Sequence, residues 1–184
     1  MRTLQTGANF KLSENMKEKF ILQVVGYKNS GKTTTSCKLI ESFVKLGWKV
    51  GSIKHDAHTF EVDYPGKDTW LHREAGASVV AITSQQKTAI MEQRSTPLGE
   101  LIERMQGVDI IIVEGYKFEH YPKVVLLRKE EDIPLIQETS GILAISSWFP
   151  FEHSSIPVVD KDNFDDLFII INDVVREKME GENS

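Results

Sequence analysis

The sequence predicts an α/β fold in which helices cover both faces of a mostly parallel central sheet. Short apolar segments rich in β-branched residues alternate with amphipathic segments along the chain, a pattern that is typical of parallel strands joined by helices. Residues 108–115 (VDIIIVEG) are largely apolar, as expected for a strand that is covered on both faces. We therefore expect three layers, with ligands bound at the carboxyl ends of the strands.

Each element is assigned from its apolar pattern and from the residues that end it. Strands are assigned to short β-branched runs, and helices to segments in which apolar residues recur every three or four positions. Gly47 ends the first helix, while Pro97 and Gly107 begin and end the third. Residues 87–93 are expected to form a hairpin with the strand before them. The strands are predicted over 20–26, 48–55, 78–84, 108–115, 123–129, 141–147 and 156–160, and the helices over 32–47, 66–77, 96–107 and 163–180.

The first helix has an apolar stripe that predicts which of its faces is buried. Cys37, Ile40 and Val44, together with Phe43 or Leu46, fall near the spacing of one helical face. Cys37 is the only cysteine in the sequence and therefore has no partner for an internal disulfide. We expect it to be a small, buried, apolar side chain.

Length and charge limit the possible classes of protein. The 184 residues suit one domain, expected over 20–184, after a flexible polar tail over 1–19. The net charge of −5 provides no general basic field, so neither nucleic acid nor an anionic membrane is an expected partner. No segment approaches the ~18 apolar residues of a transmembrane helix, and the N-terminus has no signal-peptide pattern. We expect a cytoplasmic protein.

Residues 24–35 (VVGYKNSGKTTT) contain the pattern Gly-x-x-x-x-Gly-Lys-Thr between a predicted strand and a predicted helix. This is the context that a phosphate-binding loop requires. The backbone N–H groups of the loop and of the first helical turn would point at a phosphate. Lys32 would reach the β- and γ-phosphates, and the Thr33 hydroxyl would bind Mg²⁺. The residues expected to bind nucleotide here are Gly26, Lys28, Asn29, Ser30, Gly31, Lys32, Thr33 and Thr34.

The apolar run over 108–115 ends in an acidic residue, Glu114. In nucleotide-binding proteins with a phosphate loop, such a strand lies beside the strand that precedes the loop, and its acid holds Mg²⁺ directly or through water. We therefore expect Glu114 to be a magnesium residue together with Thr33. The motifs predict a P-loop nucleotide-binding fold with bound Mg²⁺.

Charged and polar residues crowd into 53–68 (IKHDAHTFEVDYPGKD), just after the second predicted strand. One hypothesis is a transition-metal site made by His55, His58 and nearby aspartates. The other is a loop that faces phosphate and substrate, which we favour because His-x-x-His here lacks a fixed ligand geometry. On this second hypothesis, Lys54 and Lys67 face anions, and Asp56 or Asp63 lies near Mg²⁺ or the attacking water.

Five segments together carry a family resemblance: GYKNSGKTTT, IKHDAH, DYPGKDTWLHREAGA, VEGYKFEHYPKVVLLR and IPVVDKDNFDDL. The sequence resembles the molybdopterin-guanine dinucleotide biosynthesis protein B family across residues 20–176. The resemblance implies a homodimeric, GTP-binding adapter with weak GTPase activity. Such an adapter works beside the molybdenum cofactor guanylyltransferase and delivers GTP or molybdopterin to it. The resemblance also implies roles for these residues: Gly31, Lys32 and Thr33 on phosphate and Mg²⁺, Glu114 on Mg²⁺, and His55, Lys67 and Asp68 in a substrate- or anion-facing loop.

Two features of an ordinary GTPase are not found in the sequence. No Asn-Lys-x-Asp motif follows the strand over 141–147, so guanine preference rests on the resemblance, with Asp160 or Asp162 as a possible substitute. Arg73 and Arg128 are the nearest candidates for an arginine that stabilises the transition state, but neither lies in a glycine-flanked mobile segment. The isolated chain is therefore expected to hydrolyse GTP slowly.

Two other classes of protein use the same loop. A small-molecule kinase would employ Asp56 or Asp63 as a base, and it should also carry an arginine-rich lid, which Arg73 and Arg94 do not form. An interaction module would bind nucleotide without turnover. We rank the adapter GTPase first, the kinase second and the module third.

The segments around residues 70–93 predict a contact with a second copy of the chain. Trp70, Val80, Ile90 and Met91 lie around short strands and are expected to be exposed, so that they need a partner surface. We expect a homodimer with the strand near 87–93 at its interface.

Overall fold

The computed structural model describes residues 19–56 and 60–181. The tail predicted over 1–19 therefore lies outside the described residues, except for Lys19, as does His58. The strands are β1 (Phe20–Gly26), β2 (Val50–Lys54), β3 (Val79–Thr83), β4 (Thr88–Glu92), β5 (Ile110–Glu114), β6 (Lys123–Leu127), β7 (Ile142–Ser147) and β8 (Val158–Asp160). The helices are α1 (Lys32–Lys45), α2 (Asp68–Glu74), α3 (Leu98–Arg104), α4 (Pro134–Glu138) and α5 (Phe164–Glu180), with a short 3-10 turn at Glu130–Asp132.

Six strands form one parallel sheet in the order β2-β5-β1-β6-β7-β8. The expectation of a mostly parallel central sheet is confirmed. β5 pairs with β1 in a register that places Glu114 beside Val24, as the magnesium hypothesis requires. The carboxyl ends of β1, β2 and β5 therefore meet at one edge of the sheet, directly before the loop that leads into α1.

The sheet is covered on both faces, because successive residues of a strand point to opposite sides. On one face, Phe20, Leu22 and Val24 of β1 pack in a cluster with α1 and α5. On the other face, Ile21 packs with α3, and Val25 packs with α4. This arrangement gives the three expected layers.

The buried face of α1 differs from the predicted one. Ser36, Leu39 and Phe43 are buried, whereas Cys37 is exposed and Val44 is 54% exposed. The prediction that Cys37 is buried was wrong. The helix is turned by about one residue from the predicted orientation, which brings the larger Leu39 and Phe43 side chains into the core.

β3 and β4 form a separate antiparallel pair, which confirms the predicted hairpin. Its exposure is only partly as expected. Ile90 is 64% exposed, but Val80 is buried at 4%, so the prediction of an exposed Val80 was wrong. Trp70 and Met91 are half-buried. The apolar residues that face solvent on the hairpin are Val79, Ile82 and Ile90.

The connection from β5 to β6, residues 115–122, crosses over β1, since β5 and β6 lie on its two sides. The fully buried Gln23 side chain of β1 fixes this crossing. Its amide nitrogen donates to the Tyr116 carbonyl at 2.6 Å and to the Gly115 carbonyl at 3.2 Å. Among the described residues, no helix is long and apolar enough to cross a membrane.

Candidate nucleotide-binding site

The loop between β1 and α1 has the backbone conformation of an anion-binding turn. Asn29 and Gly31 both have positive φ, 63° and 98°, and α1 begins directly after them with no side-chain hydrogen bond at its N-cap. The first N–H groups of α1 are therefore not capped by a side chain, and a helix of this length carries a positive dipole end there. Lys32 folds back over the loop, and its Nζ donates to the Tyr27 carbonyl at 2.7 Å.

Two of the predicted magnesium residues contact each other. The Thr33 hydroxyl donates to Oε1 of Glu114 at 2.9 Å, although the two residues are 81 positions apart in sequence. Glu114 is buried at 8% exposure, and Lys54 Nζ lies 3.7 Å from the same Oε1. A hydroxyl and a carboxylate are the hard oxygen ligands that Mg²⁺ prefers, so these side chains fit the expected ion.

A cleft of about 810 Å³ opens at this edge of the sheet. It brings together most of the predicted residues from the loop, from the end of β2 and from the end of β5. His55 is held there by its backbone N–H, which donates to the Glu114 carbonyl at 2.9 Å, and by its ring, which lies 4.5 Å from that of Tyr116. The predicted residues that line the cleft are Gly26, Lys28, Asn29, Lys32, Thr33, His55, Asp56 and Glu114.

The electrostatics of the cleft act on Lys32. Burial lowers the pKa of its ammonium group, and the nearby charges of Lys54 and Lys117 lower it further, while Glu114 opposes the shift. Three ammonium groups therefore influence one another around a single buried carboxylate. Such a site favours binding of an anion, which would restore the charged form of Lys32.

A second, smaller pocket of about 250 Å³ lies on the other side of the loop. The remaining loop residues of the prediction, Ser30, Gly31 and Thr34, line it. The Trp148 indole N–H donates to the Ser30 carbonyl at 3.1 Å and so joins this pocket to the loop. Asp160 and Asp162, the candidates for a base contact, also line this pocket.

Asp63, Lys67 and Asp68 do not line the cleft. The Asp63 carboxylate accepts from the Thr69 hydroxyl at 3.0 Å and lies 3.8 Å from Nε of Arg73. It therefore stabilises the start of α2 within its own segment. Lys67 and Asp68 are exposed at the beginning of that helix.

Neither arginine candidate is near the cleft lining. Arg73 pairs with Glu61 at 3.0 Å, which raises the pKa of Arg73 and lowers that of Glu61. Arg128 lies over the Trp148 ring, 5.4 Å from its centroid. Within residues 19–56 and 60–181, the cleft contains no arginine.

The metal hypothesis finds no support in the described part of the chain. Residues 19–56 and 60–181 contain no group of three or more His, Cys, Asp or Glu side chains arranged to hold a metal ion. His58, which lies outside these residues, leaves the His55 and His58 pair a prediction.

Sequence reasoning did not single out several residues that line the cleft after β5. Gly115 and Tyr116 both have positive φ, 97° and 50°, and they turn the chain so that Lys117 and Phe118 reach the cleft. The available signal was the segment EGYKF itself, a glycine and a lysine directly after the acidic end of a buried strand. Tyr27, inside the loop motif, also lines the cleft.

Comparison with known proteins agrees with this geometry. Residues 21–148 match the family model for molybdopterin guanine dinucleotide synthesis protein B. The chain belongs to this family. A relative from Haemophilus influenzae, named molybdopterin-guanine dinucleotide biosynthesis adapter protein, is 37% identical over 72% of this chain and 76% of its own length. A probable adapter protein of the same kind from Bacillus subtilis is 34% identical over 89% of this chain and 95% of its own length.

Solved structures of the family share the fold. The crystal structure of Bacillus subtilis MobB superposes with a TM-score of 0.73 at 32% identity, covering 83% of this chain and 96% of the other. A MobB homolog from Bacillus stearothermophilus gives a TM-score of 0.70 at 32% identity, covering 85% and 97%. The α/β P-loop fold of the family is thus also the fold of this chain.

Proposed function

We propose that this protein binds GTP with Mg²⁺ at the loop between β1 and α1 and acts as an adapter in molybdopterin-guanine dinucleotide synthesis. The observation that carries the proposal is the contact between Thr33 and Glu114 beside an uncapped helix N-terminus. The curated relatives are named as adapter proteins of this pathway. GTP, rather than ATP, is proposed on the basis of family membership, with Asp160 or Asp162 in the smaller pocket as the base contact.

Each group in the site has a proposed task. The loop N–H groups of residues 28–33 and the Lys32 ammonium bind the phosphates. Thr33 and Glu114 hold Mg²⁺, which neutralises phosphate charge when bound. Asp56 lies in the cleft and is positioned to act on water. Because Asp63 is engaged with Thr69 and Arg73, we favour Asp56 over Asp63 for this task.

Slow hydrolysis follows from the charges around the cleft. An arginine that reaches the transition state is worth 10³–10⁵ in rate, and no arginine of the described residues lines the cleft. We expect turnover on the order of 10⁻³ per second or less for the isolated protein. A steady-state phosphate-release assay tests this, and turnover above about one per second without a partner would refute the adapter role.

The proposed partners are the molybdenum cofactor guanylyltransferase, molybdopterin as a further ligand, and a second copy of this chain in the cytoplasm. The β3–β4 hairpin supports the dimer. A two-stranded hairpin is marginal alone, and here Val79 and Ile90 lie exposed on one of its faces. Light scattering at micromolar concentration is expected to give a dimer mass, and a monomer mass would contradict this assembly.

A magnesium titration of GTP binding tests the central proposal. Glu114→Gln removes one negative charge while keeping the side-chain size, so the tightening of GTP binding by Mg²⁺ is expected to become weaker. Glu103→Gln, an exposed position on α3, is the matched control and should respond like the parent. If the Glu114 variant also responds like the parent, Glu114 does not hold the ion. If the parent does not bind GTP, the proposed function is wrong.

A further inference from the structure

The loop over 115–122 carries a lysine into the cleft on a rigid support. Its first two residues adopt positive φ, which for Tyr116 is uncommon outside functional or strained sites. Two buried side chains hold its backbone. Gln23 donates to the carbonyls of Gly115 and Tyr116, and the fully buried Lys123 of β6 donates to the Glu119 carbonyl. A loop fixed at both ends in this way presents its exposed side chains in a defined position.

Lys117 is the cation that this loop presents. Its Nζ lies 4.6 Å from the centroid of the Tyr27 ring and 5.0 Å from that of Phe118. No carboxylate of the described residues forms an ion pair with it, unlike Lys54, which lies close to Glu114. Two aromatic rings therefore hold the ammonium group by cation–π attraction and restrict its freedom without neutralising its charge.

Lys117 and Lys32 approach Tyr27 from two sides. Lys32 donates to the Tyr27 carbonyl, and Lys117 lies over the Tyr27 ring. Both lysines line the same cleft as Thr33 and Glu114. The charge of Lys117 also contributes to the lowered pKa of Lys32, which is the electrostatic sign of two cations that share a site.

The position of the cleft indicates which phosphate would meet Lys117. Mg²⁺ bridges the β- and γ-phosphates, so the side of the loop that carries Thr33 and Glu114 is the side of the terminal phosphate. The smaller pocket with Thr34 and Asp160 lies on the other side of the loop and leaves room there for the nucleoside. Lys117 therefore lies at the terminal-phosphate end of the site.

We propose that Lys117 contacts the terminal phosphate of a bound nucleoside triphosphate and gives the site a preference for triphosphate over diphosphate. This inference rests on the proposed nucleotide binding and adds a residue to it. The aromatic pair pre-orients the ammonium group, so that less freedom is lost when the anion binds. Lys32, in contrast, serves both the β- and γ-phosphates and should not discriminate as strongly.

Affinities for GTP and GDP, measured by calorimetry with Mg²⁺ present, test the proposal. Lys117→Met keeps an apolar stem of similar length on the two rings but removes the charge. It is expected to weaken GTP binding about tenfold, the size of one charge-assisted hydrogen bond, and to leave GDP binding within about twofold of the parent. Lys117→Arg should restore the preference for GTP. Lys45→Met, at an exposed position in the last turn of α1, is the matched control and should change neither affinity.

The outcomes separate this inference from the proposed function. A parent that binds both nucleotides, with a Lys117→Met variant that loses equally for GTP and GDP or loses nothing, overturns the role of Lys117 alone. A parent that binds neither nucleotide overturns the proposed function and this inference together. A general loss of fold in the variant would lower both affinities and the melting temperature, and the Lys117→Arg variant then decides, because restored GTP preference requires the charge.

Discussion

Gly26 ends β1 at a point where the structure leaves no room for a side chain. A Cβ atom there would lie 2.9 Å from the Leu126 carbonyl oxygen, 3.2 Å from the Leu126 Cβ, and in direct overlap with the Ser30 hydroxyl. Two of these contacts involve the neighbouring strand β6, which is buried throughout and cannot easily move. Gly26→Ala is therefore expected to destabilise the protein by about 1–3 kcal/mol, the usual range for overpacking a dense interior.

That range can be converted into a measurable shift. For a domain of this size, each kcal/mol lowers the melting temperature by about 2–4 °C, so a fall of about 2–12 °C is expected. Because Ser30 must also move, and its carbonyl accepts from the Trp148 indole, GTP affinity should fall as well. Differential scanning calorimetry and a binding titration on the same preparation measure both effects.

The same substitution elsewhere provides the control. A Cβ on Gly99 of α3 would have no atom within 4 Å, and alanine is favoured over glycine in a helix by roughly 0.5–1 kcal/mol. Gly99→Ala should therefore leave the melting temperature unchanged or raise it by a few degrees. A Gly26→Ala variant that melts at or above the parent temperature would show that the close approach of β1 and β6 is not tight, and would refute the reasoning.

The remaining predictions concern the site and its support. Lys32→Ala should weaken GTP binding about ten- to a hundredfold, since a charge-assisted bond is worth roughly 1.5–3 kcal/mol, and unchanged affinity would remove the loop from the phosphate site. Because the pKa of Lys32 is lowered in the free protein and bound phosphate favours its charged form, GTP affinity should be full below that lowered pKa and fall as the pH rises through it; Lys32→Arg, which stays protonated, should abolish the fall. Gln23→Leu leaves two carbonyls of the β5–β6 connection without a donor and should destabilise by about 1–3 kcal/mol for each carbonyl that water does not reach, measured by urea unfolding, whereas an unchanged midpoint would show that the crossing is held otherwise. Elemental analysis should find no stoichiometric zinc, and one zinc per chain would revive the site at His55.

Local patterns were sufficient to predict the fold and the phosphate loop. A buried strand, a glycine loop and a helix follow each other without a gap in 20–45, and the fixed spacing of the motif leaves little choice of conformation. The pairing of β5 with β1, and so the meeting of Glu114 with Thr33, followed from the known arrangement of such sheets. These predictions needed no information about distant parts of the chain.

The face of α1 shows why pattern alone fails elsewhere. Cys37, Ile40 and Val44 have the spacing of one helical face, but so do Ser36, Leu39 and Phe43, one residue away. Periodicity cannot choose between two stripes that differ by a single step. Packing decides, because burying Leu39 and Phe43 removes more apolar surface from water than burying Cys37 and Val44.

The site residues were hardest to predict where charged side chains had several possible partners. Asp63 and Arg73 both belong to a segment with many charges, and the structure pairs them with each other and with Glu61 rather than with the cleft. A sequence window shows the charges but not which pairs close locally. Lys117 was missed for the opposite reason, since no fixed motif spacing marks it and only the crossing of β1 brings it to Tyr27.

The exposed Cys37 also has a practical value for experiments on this protein. It is the only thiol in the chain, and it lies on the helix that begins at the phosphate loop. A maleimide dye or a nitroxide would attach there at one position per chain without any engineered mutation. In a symmetric dimer the two labels would report a single distance between the two copies of α1, so dipolar spectroscopy could follow how the subunits rearrange when nucleotide or the guanylyltransferase is added.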